Sequence, residues 1–162
     1  MFKKIIGILS KEKQKELTKE VLGKEVDQNT FLIPREFRNS FEVEVIKEKA
    51  KEFNIVLQEK KDQIPDKAKG KNLALLGFLR PIEIINFPMW GKPVYITYKR
   101  RRWRGKDDGA DYFNNYDFHP EGVKSTYEFA DFLKGINREE LNALFLDWES
   151  IRYISQKDLQ LV

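Results

Sequence analysis

The chain has 162 residues, with 30 Lys and Arg against 26 Asp and Glu, a formal net charge of +4 and no cysteine. That length suits one domain with room for an appendage, and 12 Phe, 6 Tyr and 3 Trp supply enough apolar surface to argue against wholesale disorder. The missing cysteines exclude disulfide scaffolds and Cys-ligated zinc or iron–sulfur sites.

The opening Met1 to Leu9 has a broken apolar run that passes into the charged segment Lys11 to Glu20, so no secretory signal is expected. No stretch approaches the roughly 20 consecutive apolar residues of a membrane span. The expectation is a soluble, cytoplasmic protein with no membrane partner.

Ser10 to Leu22 favours helix, but Leu17, Val21 and Leu22 make only a thin apolar stripe, so residues 1–30 read as a loosely attached helix and linker. Residues 31–162 read as one domain. Gly23 to Ser40, with Pro34, reads as an irregular lead-in. Phe41 to Ile46 alternates apolar and acidic residues and Phe53 to Glu59 is again strand-like, which predicts an antiparallel pair joined by Lys47 to Lys51. After the polar loop Asp62 to Asn72, strands are expected at Leu73 to Leu79, Arg80 to Phe87 and Pro93 to Tyr98, with turn chemistry at Pro88 to Lys92.

From Val94 to Arg104 the period of two runs unbroken from an apolar half into a basic half. One continuous strand would place Val94, Ile96, Tyr98, Arg100, Arg102 and Arg104 on one face, and Tyr95, Thr97, Lys99, Arg101 and Trp103 on the other. Asp107-Asp108-Gly109 would turn a hairpin, with Asp111 to Phe118 returning. Ser125 to Glu128 has the form of a capping box ahead of Phe129, Phe132 and Leu133, with Gly135 ending that helix. Asn137 to Glu140 caps a second helix, whose Leu141, Leu144, Phe145 and Trp148 share a face. The fold class expected is α+β: an antiparallel sheet of about four to six strands with a long basic strand and hairpin, packed by C-terminal helices.

Charge is concentrated in that strand. Residues 87–106 carry seven basic and no acidic groups, and residues 107–136 carry two basic and seven acidic ones, so the second block can fold back on the first. Lys99, Arg100, Arg101, Arg102, Trp103 and Arg104, flanked by Lys92 and Lys106, set phosphate-seeking side chains beside an indole, a pattern suited to nucleic acid. The competing reading is a solvated strand end paired with Asp107, Asp108, Asp111 and Asp117. Asp107, Asp108, Asp111, Asp117, His119 and Glu121 also raise a metal-dependent nuclease, although their spacing matches no ligand pattern. No phosphate-binding glycine loop and no Ser/His/Asp or Cys/His set is present.

The ordered series Phe78-Leu79-Arg80-Pro81-Ile82-Glu83-Ile84, Phe87-Pro88, Gly91-Lys92-Pro93-Val94-Tyr95, Arg100-Arg101-Arg102-Trp103-Arg104, Glu121-Gly122-Val123-Lys124 and Glu128 to Lys134 resembles the N-terminal region of ISAon-family insertion-sequence transposases. Leu32-Ile33-Pro34-Arg35-Glu36 is similar to the start of that region, and the likeness covers about residues 31–136. It implies a module that binds double-stranded DNA at transposon ends in DNA transposition and recombination. Strand-transfer chemistry would then belong to a separate ribonuclease-H-like catalytic subunit or domain, with no catalytic residue and no cofactor in this chain. Related transposases place a cysteine-based zinc ribbon after the arginine-rich strand; here Gly105 and Asp108 stand where such a pair would sit, so no zinc is expected. The alternative is a protein-interaction module that pairs with a transposase subunit, or with itself as a homodimer, through Tyr112, Phe113 and Tyr116.

Overall fold

The computed structural model describes residues 28–145 and 151–154. The chain divides into two units at Leu32/Ile33. In the first, the described residues include one helical turn, α1 (Gln28–Phe31). The helix expected over Ser10 to Leu22, and Trp148, lie outside the described residues.

The second unit has an α+β fold in which antiparallel pairing dominates. A short helix α2 (Arg35–Arg38) leads into β1 (Phe41–Glu48) and β2 (Phe53–Glu59), which form the expected antiparallel hairpin with a bulge between Val43 and Val45. The irregular lead-in thus carries structure: Phe37 of α2 is fully buried against Phe41, Tyr98 and Phe118.

Strands β4 (Ile82–Met89) and β5 (Lys92–Lys99) form a second antiparallel hairpin. Its turn residues Trp90 and Gly91 have φ of 50° and 75°, the left-handed backbone that a two-residue hairpin turn uses to match strand twist. The two hairpins join through a parallel contact between β2 and β5, giving a four-stranded sheet in the order β1-β2-β5-β4. The sheet is therefore mixed at its centre rather than wholly antiparallel.

Burial on both faces suits β5 to that central place. On one face Val94, Ile96 and Tyr98 line up with Phe53, Ile55 and Leu57 of β2. On the other, Tyr95 and its cross-strand partner Ile85 enter a cluster with Phe129, Leu133, Ile136, Leu141, Phe145 and Ile151. That cluster brings in α3 (Tyr127–Lys134) and α4 (Arg138–Leu144).

Asn137 and Glu140 form the expected reciprocal cap of α4, with both bonds at 2.9 Å. The box expected at Ser125 to Glu128 is absent. The N-cap of α3 is Thr126, and its hydroxyl donates to Asn86 Oδ1 at 2.8 Å instead.

The basic stretch is not one continuous strand. β5 ends at Lys99 and β6 (Arg101–Gly105) belongs to a second sheet, ordered β3 (Leu73–Phe78), β6, β7 (Asp111–Tyr112). The cause is Glu59 at the end of β2, fully buried. Its carboxylate accepts the Arg101 backbone N–H at 2.6 Å, and its own carbonyl accepts Arg101 Nε at 2.6 Å. A side chain thus replaces the ladder at the junction, and the strand leaves the first sheet. The return is also shorter than expected: beyond Tyr112 the chain leaves the strand and delivers Asn114 and Tyr116 to Glu59, at 2.7 and 2.5 Å.

Candidate nucleic-acid interface

The register of the small sheet decides what β6 presents. Arg102 lies opposite Gly77, and Arg104 lies between Ala74 and Asp111, so these positions share a face whose β3 members have almost no side chain. Trp103 lies between Leu75 and Tyr112 on the opposite face, half-buried, with its indole Nε1 sealed from solvent and without an acceptor.

One carboxylate serves both outward guanidiniums. Asp111 Oδ2 accepts Arg102 Nε at 2.9 Å and Nη2 at 2.8 Å, while Oδ1 accepts Arg104 Nε at 2.9 Å. The Arg104 hydrogen bond and the neighbouring Arg102 charge hold the Asp111 carboxyl below the usual aspartate range. The arginine side chains keep 40% and 46% of their surface exposed. Two cations therefore face one anion, and positive charge remains outward.

The other expected contacts are distributed differently. Arg100, at the junction between the sheets, donates through Nη1 to the neutral amide oxygen of Asn115 at 2.7 Å and lies 5.8 Å from the Phe113 ring centre. Arg101 is placed inside, at 4% exposure, with its guanidinium 4.9 Å from the Phe78 ring centre, so it presents no surface to a polynucleotide. Lys99 pairs with Glu44 and lies over the same ring. Lys92 sits at the far end of β5, about 26 Å from Arg100 along an extended strand, where Nζ pairs with Glu48 at 3.0 Å. Lys106 is exposed, and its side chain has no partner among the described residues.

The hairpin that carries these groups is held by a polar cluster. Asp108 accepts from Tyr112 Oη at 2.5 Å, from the Ala110 N–H at 3.0 Å and from Lys71 Nζ at 3.0 Å. These bonds, Tyr112's first, hold its carboxyl well below the usual range. The carboxylate lies against the bare Cα of Gly105, where a Cβ would overlap it. That fit explains why a residue without a side chain stands at position 105, opposite the Asp108 carboxylate.

The acidic residues considered for a nuclease are not gathered. Asp111 and Asp108 are engaged as described, Asp117 accepts from Tyr127 Oη, and His119 Nδ1 lies 3.0 Å from the Pro120 carbonyl oxygen. Among the described residues, no three His, Asp or Glu side chains are placed to hold a metal ion. No described helix is long and apolar enough to cross a membrane.

Two cations that charge counting along the chain passed over stand beside Arg100. Arg80 and Lys124 line a cleft with it. Both sit in stretches that carried the family resemblance, Phe78 to Ile84 and Glu121 to Lys124, but each is isolated in sequence and carries no signal of its own. Comparison with family models, with curated proteins and with solved structures finds no match to this chain.

Proposed function

We propose that this chain binds duplex DNA through the outward face of β6 and the residues flanking it, with Arg102 and Arg104 on the strand and Arg100 and Lys106 at its two ends as the contacts. The observation that carries the reading is the shared carboxylate. Asp111 fixes two guanidiniums side by side but compensates only one of their charges, over a floor of Ala74 and Gly77 that leaves room for an approaching backbone. Arginine suits this role because its planar fork reads phosphate or guanine bidentately. The likeness to ISAon-family transposases supplies the kind of DNA, the ends of a mobile element, and leaves strand transfer to a separate catalytic domain.

Four cations less the one retained carboxylate amount to about three neutralised phosphates, so log affinity should fall against log salt with a slope of about −2.7. Fluorescence anisotropy of a labelled duplex across a salt series tests this. Replacing Arg100, Arg102 and Arg104 together with alanine should abolish binding. Salt-insensitive association, or binding that survives the triple substitution, would remove the reading.

One observation favours an interaction module as a second reading. Strand β3 is an edge of its sheet, and Leu75, Leu76 and Phe78 on it are exposed. The bulge between Leu75 and Gly77 breaks the alternation and turns consecutive leucines toward solvent. Of the residues expected to mediate self-association, Tyr112 and Tyr116 are occupied by Asp108 and Glu59, while Phe113 remains exposed. Self-association that persists in the triple alanine variant and is lost on Leu75→Lys would support this module.

A further inference from the structure

Where the start of β4, the junction residue Arg100 and the segments holding Lys124 and Tyr153 meet, the second unit has a cleft of ≈ 580 Å³ lined by Arg80, Ile82, Glu83, Arg100, Lys124 and Tyr153. Its charge is unbalanced. Among the described residues, Arg80 and Lys124 have no side-chain partner and Arg100 has no carboxylate within ion-pair distance. Arg100 Nε is sealed from solvent and has no acceptor. Glu83, the one acidic lining residue, already accepts Arg152 Nη2 at 3.1 Å, Arg152 Nε at 3.2 Å and Tyr153 Oη at 2.9 Å.

Three cations around a common space repel one another unless an anion joins them. Elsewhere on the described surface, Lys71, Lys92, Lys99, Arg102, Arg104 and Arg152 each have a carboxylate partner, and cations without one, such as Lys61, Lys67 and Lys106, are exposed to solvent rather than lining this cleft. The cleft walls are also held in place. Lys124 is tied to β4 by its carbonyl, which accepts the Ile85 N–H at 2.9 Å, and Tyr153 is held at a φ of 71°, a left-handed backbone that costs a bulky residue conformational energy. A volume of this order accommodates a nucleotide-sized ligand.

We propose that this cleft is a phosphate-binding site, seating the phosphate monoester of a nucleic-acid end or of a free nucleotide between Arg80, Arg100 and Lys124. The two guanidiniums would grip the oxygens and the lysine would add a point charge.

The test is isothermal titration calorimetry on the full chain with inorganic phosphate and with adenosine 5′-monophosphate, repeated on the double variant Arg80→Gln, Lys124→Gln. Neither side chain has a described partner, so the fold should be retained, and circular dichroism checks it. Each charge removed should weaken binding about tenfold, about a hundredfold together, while Lys61→Gln, Lys67→Gln, exposed and outside both surfaces, should bind phosphate as the unaltered chain does. No phosphate binding by the unaltered chain, or equal binding by the Arg80/Lys124 variant, would overturn the site. A 5′-phosphorylated duplex that binds more tightly than its hydroxyl-ended counterpart, with the gain lost in that variant, assigns the phosphate to a DNA end. Mononucleotide binding without that gain assigns it to a free nucleotide, and both keep the site. Because inorganic phosphate is read directly, the result stands whether or not β6 binds duplex DNA.

Discussion

Removing the charge of Asp111 should strengthen DNA binding. In Asp111→Asn the carboxylate that accepts three hydrogen bonds from Arg102 and Arg104 becomes a neutral amide of the same size, and both guanidiniums are released toward solvent. Exposed ion pairs of this kind are weak, so releasing two of them should tighten duplex binding by only about 2- to 30-fold. The slope carries more information. One retained negative charge disappears, so the count of neutralised phosphates rises by about one and the slope steepens from about −2.7 to about −3.6. Anisotropy of a labelled duplex between about 50 and about 200 mM salt resolves that difference. Weaker binding with an unchanged melting temperature would refute the reasoning, because it would make the carboxylate a positioning group rather than a competitor of phosphate. An unchanged slope would show that the guanidiniums do not face the duplex.

Glu59→Ala strands three donors, the Arg101 N–H, the Asn114 amide and the Tyr116 hydroxyl, at a fully buried position. The expected cost is about 3–5 kcal/mol in chemical denaturation, and a loss below about 1 kcal/mol would show that the junction is held by something else. Gly105→Ala forces the Asp108 carboxylate off its partners, so the melting temperature should fall by about 2–4 °C and the Ala110 amide should lose protection from exchange; unaltered protection would contradict the packing. Asp108 and Asp111 both have depressed carboxyl values, so their contribution to hairpin stability is present above the ordinary aspartate value of 3.8 and is lost as pH falls below it toward the folded values. NMR titration of the side-chain carboxyl carbons should give midpoints under 3.8, and midpoints at or above that value would refute the geometry.

The local pieces of the fold are legible because they rest on neighbouring residues. The alternation in Phe41 to Ile46, the turn at Trp90 and Gly91 and the reciprocal Asn137/Glu140 cap all act within a few positions, and a strand, a turn and a cap are present there. Long-range choices are not legible in the same way. The parallel contact of β2 with β5 pairs Phe53 with Val94, a non-local match that no spacing announces. Phe37 is hidden among polar neighbours, yet its ring meets nearby Phe41 and, from distant parts of the chain, Tyr98 and Phe118. At α3 the sequence has the form of a cap at Ser125, but Asn86, 40 positions away, competes for the Thr126 hydroxyl.

The same distinction governs the candidate site. A run of arginines shows how much charge a strand carries, but the function of each depends on which carboxylate reaches it. The acidic block that follows supplies Asp111 to Arg102 and Arg104, as folding back of the hairpin requires. Glu44 and Glu48 of β1 reach Lys99 and Lys92, and Glu59 of β2 takes the Arg101 backbone from 42 positions away. Period-two alternation continues through Arg100 as if nothing intervened, since the break is made by a buried side chain rather than by proline or glycine in the strand. Its effect is selective: Arg101 is drawn inside to fix the junction, Arg102 is left on the outward face with incomplete compensation, and Arg100 lines the neighbouring cleft with no carboxylate partner among the described residues. A single buried glutamate thus sorts one basic run into a structural arginine and a surface set, and the proposed DNA contact depends on that sorting more than on the net charge of the chain.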